Sequence, residues 1–165
     1  MTRTLTLLYS TSTGHTEFVV DTLAATVNKA LPDLRIIKQR AEMSTEETLK
    51  KSDILLLACG SWNTNNVEGQ LQPHMHELLT VRAADVDLRD MPAAAIGLGD
   101  DRYHFTARAA EKLTQYLTDH HAKVLLPTLK IINEPFDQTV KIEAWAKELA
   151  SAIEKLPTRV PSPKP

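Results

Sequence analysis

The sequence has little of what marks several large classes of protein. Cys59 is the only cysteine in 165 residues, so no disulfide can form within the chain. No apolar run approaches the ~20 residues that span a bilayer, and residues 1–4 lack the apolar stretch of a signal peptide. The formal net charge is -2, which provides no basic footprint for nucleic acid and no polybasic membrane anchor. We therefore expect a cytoplasmic protein that binds neither nucleic acid nor membranes.

Metal chemistry is not indicated by the histidines. His74 and His76 are two residues apart in a segment with a helical pattern, so their side chains point to different faces of that helix. His120 and His121 fall at the end of another predicted helix, where a partly charged imidazole suits the dipole. With no cluster of Asp, His and Cys at ligand spacing, we expect no metal site.

Apolar runs alternate along the chain with stripes at helical spacing. The runs predict five buried strands, at residues 5–9, 34–38, 54–58, 92–98 and, interrupted by Pro127, 123–126 with 129–132. Helices are predicted between them, including one over 70–79, and the last helix runs over 138–156. Such alternation is typical of a parallel sheet with right-handed crossovers and helices on both faces. The sequence thus predicts one α/β domain over residues 1–156, followed by a flexible proline-rich tail at 157–165.

Polar segments follow three of the predicted strands, at residues 10–16, 60–69 and 99–103. The carboxyl ends of parallel strands lie at one edge of a sheet, so these loops should converge on one site. The first loop holds hydroxyls and Gly14 at a helix N-terminus, without lysine or arginine, and can wrap a phosphate monoester with neutral donors. Neither the Gly-Lys-Ser/Thr ending of an NTPase loop nor the Gly-x-Gly-x-x-Gly of a dinucleotide site is present. A plain Ser/Thr-rich helix cap is the alternative.

The three loops together resemble those of the flavodoxins. Thr11-Ser12-Thr13-Gly14-His15-Thr16 resembles the family's Thr/Ser-x-Thr-Gly-x-Thr loop, which holds the FMN phosphate, with His15 where asparagine is frequent. Cys59-Gly60-Ser61-Trp62-Asn63-Thr64 resembles the second FMN loop, whose tryptophan covers one face of the flavin ring. Gly97-Leu98-Gly99-Asp100-Asp101-Arg102-Tyr103 resembles the third, whose aromatic covers the other face.

The resemblance implies a set of cofactor-binding residues and no catalytic residue. Residues 11–16 would hold the phosphate, Trp62 and Tyr103 would enclose the ring, the peptide between Asn63 and Thr64 would face flavin N5, and Asp100 would lie at the pyrimidine end. Phe105 either packs beneath the ring edge or begins the apolar stripe of the next helix. The implied set is Thr11, Ser12, Thr13, Gly14, His15, Thr16, Gly60, Ser61, Trp62, Asn63, Thr64, Leu98, Gly99, Asp100, Tyr103 and Phe105.

The resemblance covers residues 5–156 and is to the short-chain type, which lacks a long insertion in the last strand. It implies a three-layer αβα sandwich with five parallel strands in the order 2-1-3-4-5. It also implies a monomeric electron carrier that binds one FMN and shuttles single electrons between a flavodoxin reductase and an acceptor enzyme. Two features depart from the family: acidic and basic residues nearly balance, 21 against 19, and Asn63 stands where glycine is frequent.

Other functions on this fold remain open. An FMN-dependent NAD(P)H:quinone or nitro reductase is the main alternative, although such enzymes usually need a longer chain or a dimer to build a substrate pocket. A signalling receiver domain would need an acidic cluster after the first strand, where this chain has Ser10, Thr11 and Ser12.

Overall fold

The computed structural model describes residues 3–64, 67–102 and 106–157. The strands are β1 (Thr4–Tyr9), β2 (Arg35–Arg40), β3 (Ile54–Thr64), β4 (Val67–Leu71), β5 (Pro92–Gly99), β6 (Lys123–Val124) and β7 (Leu129–Ile132). The helices are α1 (His15–Ala30), α2 (Glu46–Lys50), α3 (Pro73–Glu77), α4 (Ala109–Asp119) and α5 (Thr139–Glu154). Of the predicted tail, only Pro157 is among the described residues.

The sheet confirms the predicted parallel order. The path β2-β1-β3-β5 ends in β6 and β7, and both of these short strands pair in parallel with β5. The sheet has seven strands rather than five, because the last predicted strand is two pieces around residues 125–128 and because β4 adds to β3 in antiparallel. Pro127, which has no N–H to donate, lies in the break between the two pieces.

Alternating residues of the strands supply two separate apolar cores, one on each face of the sheet. Leu56 of β3 packs in the core under α1 and α5, whereas its neighbours Leu55 and Leu57 pack in the core under α3 and α4. This period of two is what a strand buried on both faces requires. The αβα sandwich is therefore confirmed. Among the described residues, no helix combines the length and the apolar character needed to cross a membrane.

The segment after the third predicted strand is where the sequence-based prediction is wrong. Residues 60–64 and 67–69 are strand rather than loop, and residues 70–79 are not one helix. Instead β3 continues to Thr64, β4 returns beside it to Leu71, and α3 begins only at Pro73. Proline is well suited to a first helical position, since the N–H it lacks would have no partner there. A π-helical turn over Leu78–Arg82 then follows α3.

The N-terminal end of α4 packs directly on the end of β5. A Cβ atom at Gly97 would lie 2.3 Å from the Ala110 backbone nitrogen, and one at Gly99 would lie 2.2 Å from the Ala107 nitrogen. Backbone atoms cannot yield as a flexible side chain can. The α4 segment can therefore pack this closely on β5 only because both positions are glycine.

Gly97→Ala should lower the free energy of unfolding by about 2 kcal/mol or more, because α4 must shift to admit the methyl group. Urea denaturation of the purified protein without added ligand measures this. The matched control is Gly60→Ala, whose Cβ would meet the Trp62 indole at 3.5 Å, an ordinary contact. Equal and small effects of the two substitutions would contradict the close packing of α4 on β5.

Candidate functional site

A cleft of about 1040 Å³ opens at the carboxyl edge of the sheet, where β1, β3 and β5 end. All three predicted loops contribute to its wall. The predicted residues that line it are Thr11, Ser12, Thr13, His15, Thr16, Gly60, Ser61, Trp62, Asn63, Leu98, Gly99 and Asp100. The other lining residues are outside the cofactor-binding set that the resemblance implied; they are Ser10, Glu68, Gly69, Gln72, Asp101, Arg102, Asn133 and Glu134.

The first loop leaves the N-terminus of α1 uncapped by any described side chain. Gly14 has a φ of 88° in the left-handed region, which glycine adopts without strain. Its N–H donates to Thr11 Oγ1 at 2.9 Å, and its carbonyl accepts from the Phe18 N–H at 3.0 Å. The amides of the first turn of a helix have no intrahelical acceptor and lie at the positive end of the helix dipole. This end of the cleft therefore favours an anion.

The His15 ring lies at the rim of this loop against the exposed side chain of Phe136. The two ring centroids are 5.3 Å apart and the rings are nearly perpendicular. Phe136 also meets Phe18 edge to face at 5.0 Å. The position of the His15 imidazole is thus set by an aromatic contact with the segment before α5.

Ser10 lines the cleft below the first loop, and Cys59 lies beside it in the core. The Ser10 hydroxyl is fully buried and has no hydrogen-bond partner among the described residues. Burial raises the pKa of the Cys59 thiol to about 12, although the Gln72 backbone N–H and the nearby Ser10 hydroxyl partly offset the rise. Cys59 is therefore a neutral thiol at physiological pH and does not have the thiolate character of a reactive cysteine.

Gln72 connects the first loop to the second. Its side chain is buried, and its Nε2 donates to Ser12 Oγ at 3.1 Å. Its Oε1 accepts from the His74 N–H at 2.8 Å at the start of α3, and its backbone N–H donates to the Gly60 carbonyl at 3.0 Å. The bond to Ser12 joins residues 60 positions apart. Sequence reasoning missed Gln72, and the one local signal for it was its place before Pro73.

The second loop is a β-hairpin that presents Trp62. This residue pairs with Gln70 of β4 and is 41% exposed. The indole lies beside Gly60: a Cβ atom added at Gly60 would be 3.5 Å from the indole nitrogen, an ordinary contact distance. A large aromatic side chain is thus held at the cleft with much of its surface open, although its burial in a core would stabilise the fold.

Three other residues of this hairpin have contacts or local structure that the resemblance did not specify. The Ser61 hydroxyl accepts from the Ala109 N–H at 2.8 Å and so holds the start of α4. The Thr64 side chain is buried and donates to the Leu71 carbonyl at 2.7 Å, so it fastens the hairpin rather than lining the cleft. Asn63 lies at a shift in the β3–β4 register, and its φ is not positive.

The third loop is held by an ion pair between Arg102 and Asp100 and by hydrogen bonds with Asn133. Arg102 donates from Nε to both carboxyl oxygens of Asp100 at 2.9 Å and thereby holds the pKa of Asp100 at about 2. The Asn133 side chain accepts from the Asp101 N–H at 3.1 Å and donates to its carboxylate at 3.0 Å. Asn133 has a φ of 67°, a conformation that asparagine tolerates better than most residues. The predicted residues Tyr103 and Phe105 lie outside the described residues.

The cleft thus joins an anion-binding end to an end with an open aromatic face. Among the described lining residues, Arg102 is the only lysine or arginine, and it is already paired with Asp100. Neutral hydroxyls and the α1 N-terminus are therefore the main donors for an anionic group. A flat ring joined to a phosphate fits both ends.

Comparisons with known proteins agree with this geometry. The chain matches the family model described as Flavodoxin over residues 7–145. It is 24% identical over 148 residues to a flavodoxin of Nitratidesulfovibrio vulgaris (strain DSM 19637 / Miyazaki F). This alignment covers 89% of this chain and 97% of the relative.

Solved flavodoxins share the fold. Oxidised flavodoxin 1 from Bacillus cereus superposes with a TM-score of 0.81 at 21% identity, covering 93% of this chain and 99% of that one. A short-chain flavodoxin associated with a bacterial microcompartment superposes with a TM-score of 0.75 at 17% identity, covering 90% and 97%. Only residues 125–128 separate β6 from β7, which agrees with the short-chain type. Since the family model covers most of the sequence, this chain belongs to the flavodoxin family.

Proposed function

We propose that this chain binds one FMN and, as a cytoplasmic monomer, carries single electrons from a reductase to an acceptor protein. The observation that carries the proposal is the union, in one cleft, of an uncapped helix N-terminus with the exposed indole of Trp62. When bound, FMN supplies the redox chemistry, and the protein supplies position and electrostatics. Membership of the flavodoxin family supports the choice of FMN.

The first loop would hold the phosphate of FMN. Thr11, Thr13 and Thr16 line the cleft around the start of α1, so their hydroxyls and the first amides of the helix can donate to one anionic group.

The hairpin and the third loop would hold the ring. Trp62 offers a flat, amphipathic surface at the cleft, and stacking on a flavin would cover the exposed part of its indole. Leu98 and Gly99 line the cleft at the end of β5, where Leu98 pairs with Gly60 of β3. We also propose, from the sequence resemblance alone, that Tyr103 stacks on the second face of the ring. Any contact of Phe105 with the ring rests on the same resemblance.

FMN should bind more tightly than riboflavin, with one FMN per chain, because riboflavin lacks the phosphate that the first loop and the α1 N-terminus would hold. Titration of flavin fluorescence with the purified apoprotein measures both affinities. Equal affinity for the two flavins would exclude the phosphate site.

Trp62→Ala should weaken FMN binding by about 1–3 kcal/mol through loss of the stacked indole. The matched control is Trp145→Phe. Trp145 is buried on α5 and donates to the Pro127 carbonyl at 2.9 Å, so FMN affinity should not change. In the Trp145→Phe protein, Trp62 is the only tryptophan, and FMN should quench its emission. Unchanged affinity in Trp62→Ala would contradict the stacked arrangement.

An electron carrier should donate electrons to an acceptor but should not oxidise NAD(P)H in the absence of a reductase. The FMN-loaded protein, reduced chemically without oxygen, should reduce a one-electron acceptor such as cytochrome c. It should show little NAD(P)H oxidation, with or without an added quinone or nitro compound. Absorbance changes of cytochrome c and of NAD(P)H report the two reactions. Multiple-turnover NAD(P)H oxidation by the protein alone would instead support the reductase alternative.

A further inference from the structure

Gln72 is a buried amide at the boundary between the cleft and the core. Gln72 is 3% exposed, and it caps the start of α3 rather than belonging to any of the three loops. Burial of an amide without partners is costly, so each of its hydrogen bonds has a definite role. The amide oxygen accepts from the backbone N–H groups of His74 and Met75 at the start of α3, and the amide nitrogen reaches Ser12 in the first loop.

The orientation of the amide is fixed by chemistry. The His74 backbone N–H, 2.8 Å away, can only donate, and so can the more distant Met75 N–H at 3.4 Å. The atom that faces them must therefore be the amide oxygen. Nε2 must then face Ser12, and because an amide NH₂ can only donate, Ser12 Oγ is the acceptor of that bond.

This direction has a consequence for the Ser12 hydroxyl. Its oxygen accepts from Gln72, so its hydrogen is not used in that bond and is free to turn into the cleft that Ser12 lines. The first loop contains no lysine or arginine, so an anion there depends on O–H and N–H donors alone. A hydroxyl that donates to a charged oxygen makes one of the stronger hydrogen bonds available to a neutral side chain.

We propose that Gln72 is a positioning residue that holds Ser12 and makes its hydroxyl a donor to the phosphate group of the ligand. The backbone bond from Gln72 to Gly60 supports this role, since it fixes Gln72 to the base of the hairpin that carries Trp62. The inference rests on the proposed function, because it concerns the phosphate end of the FMN site.

The test is a double-mutant cycle on the ratio of riboflavin Kd to FMN Kd, which isolates the contribution of the phosphate. Ser12→Ala should lower this ratio about tenfold, the loss of one hydrogen bond to a charged group. Gln72→Met, which keeps the volume but has no donor, should lower it by a similar factor. The double variant should lose no more than either single variant, since both changes remove the same bond. Gln115→Met, in an exposed glutamine of α4, is the control and should leave the ratio unchanged.

Independent effects would overturn the inference. If Ser12→Ala leaves the ratio unchanged, or if the two effects multiply in the double variant, Gln72 has only a structural role. Gln72→Glu serves if Gln72→Met does not fold, because a carboxylate still accepts at the start of α3 but would draw the Ser12 hydrogen away from the cleft. Ser12 is exposed, so Ser12→Ala should fold, and an unchanged ratio in that variant alone would overturn the role of Gln72.

Failure of the proposed function gives a different result. In that case the unmodified protein itself would bind riboflavin as tightly as FMN, and the ratio would be near one before any substitution. A high ratio in the unmodified protein that survives Ser12→Ala would leave the FMN site standing and remove the role of Gln72.

Discussion

The pairing of β3 with β1 on one side and β5 on the other determines where every loop of the cleft begins. Leu57 lies opposite Leu8 of β1 and opposite Ala95 of β5, with all three strands parallel. All three residues are fully buried, and each buried leucine contributes about 1.5–3 kcal/mol relative to an exposed one. Because a one-residue slip would turn these side chains to the opposite face, the register is strongly fixed. The loops that follow the strands are consequently held at one edge.

The close contact of α4 with β5 extends this constraint to the third loop. Gly97 and Gly99 admit the backbone of the α4 N-terminal segment at distances that a methyl group would forbid. Ser61, beside Trp62, then accepts from the first amide of α4. The hairpin, the third loop and α4 are therefore connected. The position of Trp62 at the cleft depends in part on the close packing of the α4 backbone against Gly97 and Gly99.

The strands and the location of the site could be predicted from the sequence, because both follow from local patterns. Continuous apolar runs such as 54–58 are typical of strands buried on both faces, and parallel strands direct their loops to one edge. The β3–β4 hairpin could not be predicted in this way. Its glycine and asparagine content is typical of a loop, and its pairing depends on tertiary contacts. Gln72 and Asn133 were missed because their bonds to Ser12 and Asp101 join segments far apart in sequence.

The central claim is that one cleft holds a phosphate at the α1 N-terminus and a flavin ring against Trp62. A crystal structure of the protein with FMN tests it most directly. We expect phosphate oxygens within hydrogen-bond distance of the Thr11, Thr13 and Thr16 hydroxyls and the first amides of α1, with the ring stacked on the Trp62 indole. A phosphate bound away from the start of α1, or a ring that does not contact Trp62, would contradict it.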